Sequence, residues 1–364
     1  GTGGKEKLSA FVADPGREQG LVARAYDDGI AFRDELSGLK DAKMAEERTT
    51  YRIPEGVRRW MMPWSEGYED FFPLSTTGEG KTRRWGYPSL IQAANDVWVL
   101  ISESGIERVH SASSLRNDRA ATDYRVAPDR NDLTTTGEWS SPWRVLIVGA
   151  KADVVESTLV NDVAPACRLN DVSWIRPGGA SWIYWAHNHG SKDFQIVKSY
   201  IDMAAKLKLP YVLIDWEWDV MGNGGTMEDA LRHAKERGVR VLLWYNSSTA
   251  WLAAGPLHRL NAPENREKEF SRLEKLGVAG VKIDFFQGDL QTTMAYCIDL
   301  LESAAKHKLM VNFHGATVPR GWARTYPNLM STEGVYGAEW YNNKPRLTEP
   351  ASRHNVPHFF TRNV

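Results

Sequence analysis

Cysteine is nearly absent from this chain. Cys167 and Cys297 are the only two in 364 residues, too few for a disulfide framework and without the spacing of a metal site. Both read as buried free thiols that say little about redox compartment. No sign of charge dominates: 45 Lys and Arg face 46 Asp and Glu, a formal net charge of −1. A nucleic-acid partner or an anionic membrane surface would call for a basic stripe, and none is present. No apolar run approaches the ~20 residues of a membrane span, so membrane insertion is not expected. The chain opens GTGGKEKL, without Met or a signal-like segment, and stops at HFFTRNV, which reads as a strand with nothing after it. It therefore reads as a fragment, and the missing leader carries no information on location.

Tryptophan, by contrast, is plentiful, with fifteen residues. Several stand beside polar residues at the ends of apolar runs: Trp182, Trp185, Trp216, Trp218, Trp244 and Trp340. Sugar rings have apolar faces that stack on indole, so this suits a carbohydrate site, although Trp also serves as a core residue.

The patterning changes along the chain. Residues 1–166 hold short alternating runs broken by turns (LVARAYDDGIAFR, VWVLISES, WRVLIVG), which argue for an antiparallel β-sandwich. The charged run Lys40–Arg48 reads as a solvated face. Residues 167–364 alternate strand-like and helical segments, which implies a parallel sheet. Seven strand candidates follow one another: ASWIYWA, PYVLIDWEWD, VRVLLWYN, VAGVKIDFF, KLMVNFHG, NLMSTEG and HFFTRNV. Seven of eight fits a (β/α)8 TIM barrel cut before its last unit, with a doubly wound sheet as the alternative.

In such barrels the working residues gather at the C-terminal ends of the strands. Here those ends carry Asp215 and Glu217, Asn246, Lys282 and Asp284, Asn312 and His314, then Glu333 and Glu339. A charge or amide at each end makes this a candidate site. Glycoside hydrolysis divides its work between two carboxyl groups, one a nucleophile or base and one a proton donor. Lys282 and Asp284 are two apart on a strand and face the same way, so the ammonium favours the carboxylate. Glu333 and Glu339 share a glycine-containing loop and offer oxygen ligands to a hard cation such as calcium, though no dedicated calcium loop is present. His314 reads equally as a hydroxyl ligand or a satisfied core residue. Asp215, Trp216 and Glu217 in IDWEWD alternate acid and indole, an arrangement for binding a hydroxylated ring. Asn188 and His189 read as a solvated loop.

Together these segments resemble glycoside hydrolase family 97. The likeness runs through RAYDDGIAFR (Arg24–Arg33), VWVLISES, NHGSKDF with the following YIDMAA, YVLIDWEWD and GVRVLLWYNSS. It continues in GVAGVKIDFF, VNFHGATVPRG and NLMSTEGVYGAEWYN, and so covers nearly the whole chain. The resemblance implies an N-terminal β-sandwich, a catalytic (β/α)8 barrel and a C-terminal β-domain, of which this chain would lack the start of the sandwich, the last barrel unit and the C-terminal domain. It implies an exo-acting α-glycosidase. The inverting branch carries a glutamate base directly after the fifth-strand histidine, where this chain has Gly315. The retaining branch has its nucleophile where this chain has Asp284. The expectation is therefore a retaining α-galactosidase, with Asp284 as nucleophile and Glu339 as general acid/base. An α-glucosidase or a β-L-arabinopyranosidase is the alternative within the family, and a non-catalytic sugar-binding protein or an inert fragment the alternative outside it. The resemblance further implies a calcium ion held by Glu103, Glu333 and Glu339, substrate contacts from Asp215, Glu217, Lys282 and His314, and a periplasmic or secreted location, while Trp216 and Asn246 join the expected substrate contacts by their places at strand ends. Oligomeric state stays open.

Overall fold

The computed structural model describes residues 8–13, 19–44, 46–129, 135–337, 339–340 and 348–362. The opening GTGGKEK, Tyr341 and Asn342 of the acidic segment, and Asn363 and Val364 of HFFTRNV lie outside the described residues.

The N-terminal part contains the strands β1 (Leu8–Ala13), β2 (Gln19–Tyr26), β3 (Gly29–Ala42), β4 (Thr50–Arg52), β5 (Arg58–Trp60), β6 (Leu74–Thr76) and β7 (Arg84–Trp85), followed by β8 (Ser89–Gln92), β9 (Trp98–Ser104), β10 (Ser113–Arg116), β11 (Asp123–Pro128), β12 (Thr135–Ser140) and β13 (Trp143–Gly149). They form two antiparallel sheets. One runs β1-β2-β3-β13-β9-β8-β5-β6 with β12 added on β3, and the other runs β4-β11-β10-β7. The hairpin read in RAYDDGIAFR is present: Tyr26 pairs with Gly29 across an Asp27–Asp28 turn. Ile91 and Ile101 from the larger sheet meet Trp85, Leu115, Tyr124 and Val126 from the smaller one in a common core.

Two short helices, α1 (Lys151–Glu156) and α2 (Leu159–Asp162), lead to the repeating part. There β14 (Ala180–Trp182), β15 (Tyr211–Ile214), β16 (Arg240–Asn246), β17 (Gly280–Asp284), β18 (Met310–Phe313) and β19 (Leu329–Thr332) pair in parallel in that order. Between them lie α3 (Phe194–Lys206), α4 (Met227–Glu236), α5 (Pro263–Leu276), α6 (Gln291–Lys306) and α7 (Trp322–Thr325). Local chemistry sets the helix ends. Thr226 caps α4 in a capping box with Asp229, and α5 starts on Pro263 and stops at Gly277, whose φ of 76° suits a residue without a Cβ. β15 and β17 are buried at every position, as a parallel sheet covered on both faces requires. The strand order never reverses, which excludes the doubly wound alternative and its switch point. The sheet is a curled, barrel-like array of six strands.

Two expectations are corrected. HFFTRNV is not a strand: its described residues belong to the end and C-cap of α8 (Ala351–Thr361). His354, Pro357 and Thr361 are buried while Val356 and Phe359 face outward, a helical spacing that a short apolar run conceals. Cys167 is exposed, and only Cys297 is a buried thiol. Among the described residues, no helix is long and apolar enough to cross a membrane.

Candidate active site

Parallel pairing places the strand-end residues in one row. Asn246 pairs with Asp284, and Lys282 lies between Trp244 and Asn312. Lys282 is 4% exposed and stands 3.2 Å from Asp215 Oδ2, 3.5 Å from Asp284 Oδ2 and 4.4 Å from the Trp182 ring centre. Burial alone would push the ammonium down; Asp215, Asp284 and Glu333 together hold it above its ordinary value. It is therefore a fixed positive charge between two carboxylates.

Asp284 is oriented on each oxygen. Trp244 Nε1 donates to Oδ2 at 3.0 Å, and the Phe285 amide donates to Oδ1 at 3.0 Å. Phe285 has a φ of +67°, a costly conformation outside glycine. The strain sits beside the proposed chemistry. Gly315 lies against this same bond with a φ of +45°, and a Cβ there would meet Asp284 Oδ1 at 3.0 Å and the Phe285 nitrogen at 3.2 Å. Any side chain at 315 would crowd Asp284 and take up a strained backbone, so the glycine leaves room for the carboxylate at 284.

His314 joins the fourth- and sixth-strand acids. Its Nδ1 is 2.9 Å from Glu333 Oε2 and 3.8 Å from Asp284 Oδ2. The Gly315 amide donates to Glu333 Oε2 at 3.1 Å. Burial would raise Glu333, but His314, this amide and Lys282 outweigh it and hold the carboxyl below its usual range. Glu339 goes the other way: burial, followed by the charge of Glu333, pushes it up to about 7. Of the two, Glu339 is the one able to carry a proton near neutral pH.

The metal expectation is corrected in one member. The carboxylates of Glu69, Glu333 and Glu339 each place an oxygen within 4.8 Å of the others. Glu103 is absent from this group. Its carboxylate is fully buried between Arg144 Nη1 and Arg320 Nε, each at 2.6 Å, and accepts from the Ser113 amide at 2.9 Å. Two guanidinium partners saturate it as a ligand. The N-terminal part still reaches the site, through Glu69, which accepts from Trp340 Nε1 at 3.0 Å. Burial and the charge of Glu333 push Glu69 up to about 9. Three carboxyls with oxygens this close together fit a hard cation with oxygen ligands. Nothing in the sequence pattern isolated Glu69; the available signal was an acid pair (Glu69, Asp70) within the aromatic run Trp60 to Phe72.

The remaining expected contacts divide. Asp215 accepts from Trp182 Nε1 at 2.7 Å and from the Trp216 amide at 2.9 Å, facing Lys282. Asn246 instead secures a loop: its amide donates to Trp251 O at 2.8 Å and Ala254 O at 3.1 Å, and its oxygen accepts from the Ser248 amide at 2.8 Å. Those bonds commit both ends of its amide to backbone. Glu217 lies 2.6 Å from His189 Nδ1. His189, read as loop solvation, stacks on Trp216 at 5.5 Å, and Trp251 stacks on the same indole at 5.5 Å. This aromatic group borders Trp244, whose ring meets Trp216 edge-on at 6.1 Å. The site thus has a charged floor and an indole wall.

A parallel barrel-like sheet with several carboxyls gathered at its C-terminal edge and aromatic rings beside them is the arrangement of a glycoside hydrolase. The comparisons make this specific. The profile for glycoside hydrolase 97 matches residues 180–335, and that for the glycosyl-hydrolase 97 N-terminal region matches 7–165. The chain belongs to glycoside hydrolase family 97. It is 34% identical over 368 residues to a probable retaining alpha-galactosidase of Streptomyces bingchenggensis, covering 97% of this chain and 55% of the relative. It is 27% identical to a retaining alpha-galactosidase of Bacteroides thetaiotaomicron, covering 87% of this chain and 54% of that protein. A crystal structure of a beta-arabinopyranosidase superposes with a TM-score of 0.85 at 29% identity, over 97% of this chain and 61% of the other. The chain thus spans about half the length of the curated relatives it matches.

Proposed function

We propose that the protein containing this chain is a calcium-dependent retaining exo-α-glycosidase acting on terminal α-galactosyl residues, with the N-terminal sheets forming a β-sandwich against the barrel. The observation that carries this reading is the pairing of Asp284 with Gly315: the carboxylate is fixed on both oxygens, and no side chain at 315 supplies a rival base. Support for the sugar comes from the two related α-galactosidases. The β-arabinopyranosidase likeness favours one alternative, since that sugar shares galactose's ring stereochemistry without the hydroxymethyl group.

In this reading Asp284 attacks the anomeric carbon, and Glu339 gives its proton to the departing glycosidic oxygen. Water then enters, Glu339 takes its proton, and the bond to Asp284 breaks. Lys282 stands as the counter-charge beside both Asp284 and Asp215, and Asp215 would bind sugar hydroxyls beside Trp182. Glu69, Glu333 and Glu339 would hold the calcium. When bound, the ion supplies positive charge that relieves carboxylate repulsion and lowers the pKa of a neighbouring acid. Export to the periplasm or beyond the cell is part of the proposal by family likeness alone.

The acid/base role has a direct test. Glu339→Gln is expected to lower kcat/KM on a sugar-linked substrate by ~10²–10⁴-fold. An aryl galactoside with an acidic leaving group, which departs without protonation, should suffer much less in its first step. The wild-type profile should lose activity on the alkaline side with an apparent pKa no higher than about 7, and the variant should lack that limb. Equal losses on both substrates would remove Glu339 from the role.

A further inference from the structure

A line of buried charges crosses from the N-terminal sheets into the barrel. Glu47, Arg144, Glu103, Arg320 and Asp289 alternate in sign, and none is more than 8% exposed. Arg144 binds Glu47 with Nε at 2.7 Å and Glu103 with Nη1 at 2.6 Å. Arg320 takes the other Glu103 oxygen with Nε at 2.6 Å and reaches Asp289 with Nη2 at 3.6 Å. Desolvating five charges is expensive, so the array is weak evidence for added net stability. The question is what geometry it fixes.

Its barrel end closes on a single side chain. Tyr68, fully buried, donates its hydroxyl to Asp289 Oδ2 at 2.5 Å and accepts from Arg320 Nη2 at 2.6 Å. Asp289 also accepts from Trp64 Nε1 at 3.1 Å and Thr317 Oγ1 at 2.7 Å. The backbone of Tyr68 is left-handed, with a φ of +57°, an uncommon state for an aromatic residue that its surroundings must enforce. The next residue is Glu69. Underneath, a Cβ on Gly288 would meet the Glu66 side chain at 3.4 Å and Trp64 at 3.8 Å, so segment 64–69 rests directly on segment 285–289. That second segment begins at the residue after Asp284.

We propose that this charge line, closed by Tyr68, is a positioning device: it holds the loop carrying Glu69 against Glu333 and Glu339 and so sets the affinity of the three carboxylates for calcium. The inference rests on the calcium reading above. Arg320, Asp289 and Tyr68 are positioning residues, since they act through Glu69. Partners that orient a metal ligand from behind typically govern ~10–100-fold of affinity.

The test is calorimetric titration with calcium chloride, paired with calcium-free melting curves, on Tyr68→Phe, Trp64→Phe and Tyr124→Phe. Tyr68→Phe keeps the ring and deletes both hydroxyl contacts, and should weaken calcium ~10-fold or more. Trp64→Phe removes one contact to Asp289 and should weaken it several-fold; it carries the test if Tyr68→Phe does not fold. Tyr124→Phe removes a buried hydroxyl that partners Arg59 in the N-terminal sheets and should leave calcium affinity unchanged. Lower melting temperatures with wild-type affinity in the Tyr68 and Trp64 variants would overturn the inference and leave the functional reading intact. A wild-type protein that binds no calcium would overturn both the inference and the metal part of that reading.

Discussion

Asp284→Ala is expected to lower kcat/KM on an aryl α-galactoside by on the order of 10⁴-fold or more, the scale on which a concerted site loses a nucleophile. The loss should fall on chemistry. Asp284 is 6% exposed, and its removal leaves Lys282 paired with Asp215 at 3.2 Å, so the buried ammonium keeps one counter-charge. Stability should fall by no more than ~1–3 kcal/mol, the cost of stripping partners from Trp244 Nε1 and the Phe285 amide. Added azide should restore part of the rate by entering the vacated space, and the product should be the β-galactosyl azide, formed by a single displacement. Wild-type activity in Asp284→Ala would end the nucleophile assignment. Loss of activity with loss of the folded circular-dichroism signal would make the amide variant Asp284→Asn the deciding comparison.

Calcium removal should also have a large effect. Chelation is expected to reduce kcat/KM by ~10²-fold or more, since a bound cation contributes several kcal/mol of charge stabilisation. The sign of the pH dependence follows from Glu69. Its folded-state pKa, raised to about 9, exceeds the ordinary carboxyl value of 4.5. A carboxyl raised on folding stabilises the calcium-free protein while it keeps its proton, and that contribution is lost as pH rises from about 4.5 toward about 9. Calcium needs the carboxylate, so binding expels the proton. Its affinity should therefore tighten ~10-fold per pH unit for each proton released, and the melting-temperature gain from calcium should be larger at about pH 8 than at about pH 6. An affinity that is flat with pH, or weakens as pH rises, would contradict this account of the carboxylate cluster.

The row of strand-end residues was legible because strand periodicity and barrel architecture act together. Once GVAGVKIDFF is a buried parallel strand, Lys282 and Asp284 must share a face at its end, and His314 on the next strand must lie beside them. Local signals also carried the helices, through the Thr226 cap and the Gly277 stop. What was not legible depended on distant contacts. Glu69 meets Glu333 and Glu339 from a segment whose Tyr68 and Trp64 bond Asp289, more than 200 positions away along the chain. Glu103 looked like a ligand that joins the two parts; it does join them, through Arg320, by an ion pair instead of a metal. Asn246 stood at a strand end like its neighbours, yet its amide is spent on the loop around Trp251. HFFTRNV misled because a few aromatic residues in succession look the same in a strand and in a helix whose polar face is elsewhere.

The central claim, that Asp284 forms a covalent intermediate, is tested most directly by the configuration of the first sugar released. Hydrolysis of an aryl α-galactoside followed by proton NMR, faster than mutarotation, should show α-galactose appearing first. If β-galactose appears first, water attacks the sugar directly, and the roles given to Asp284 and Gly315 are wrong.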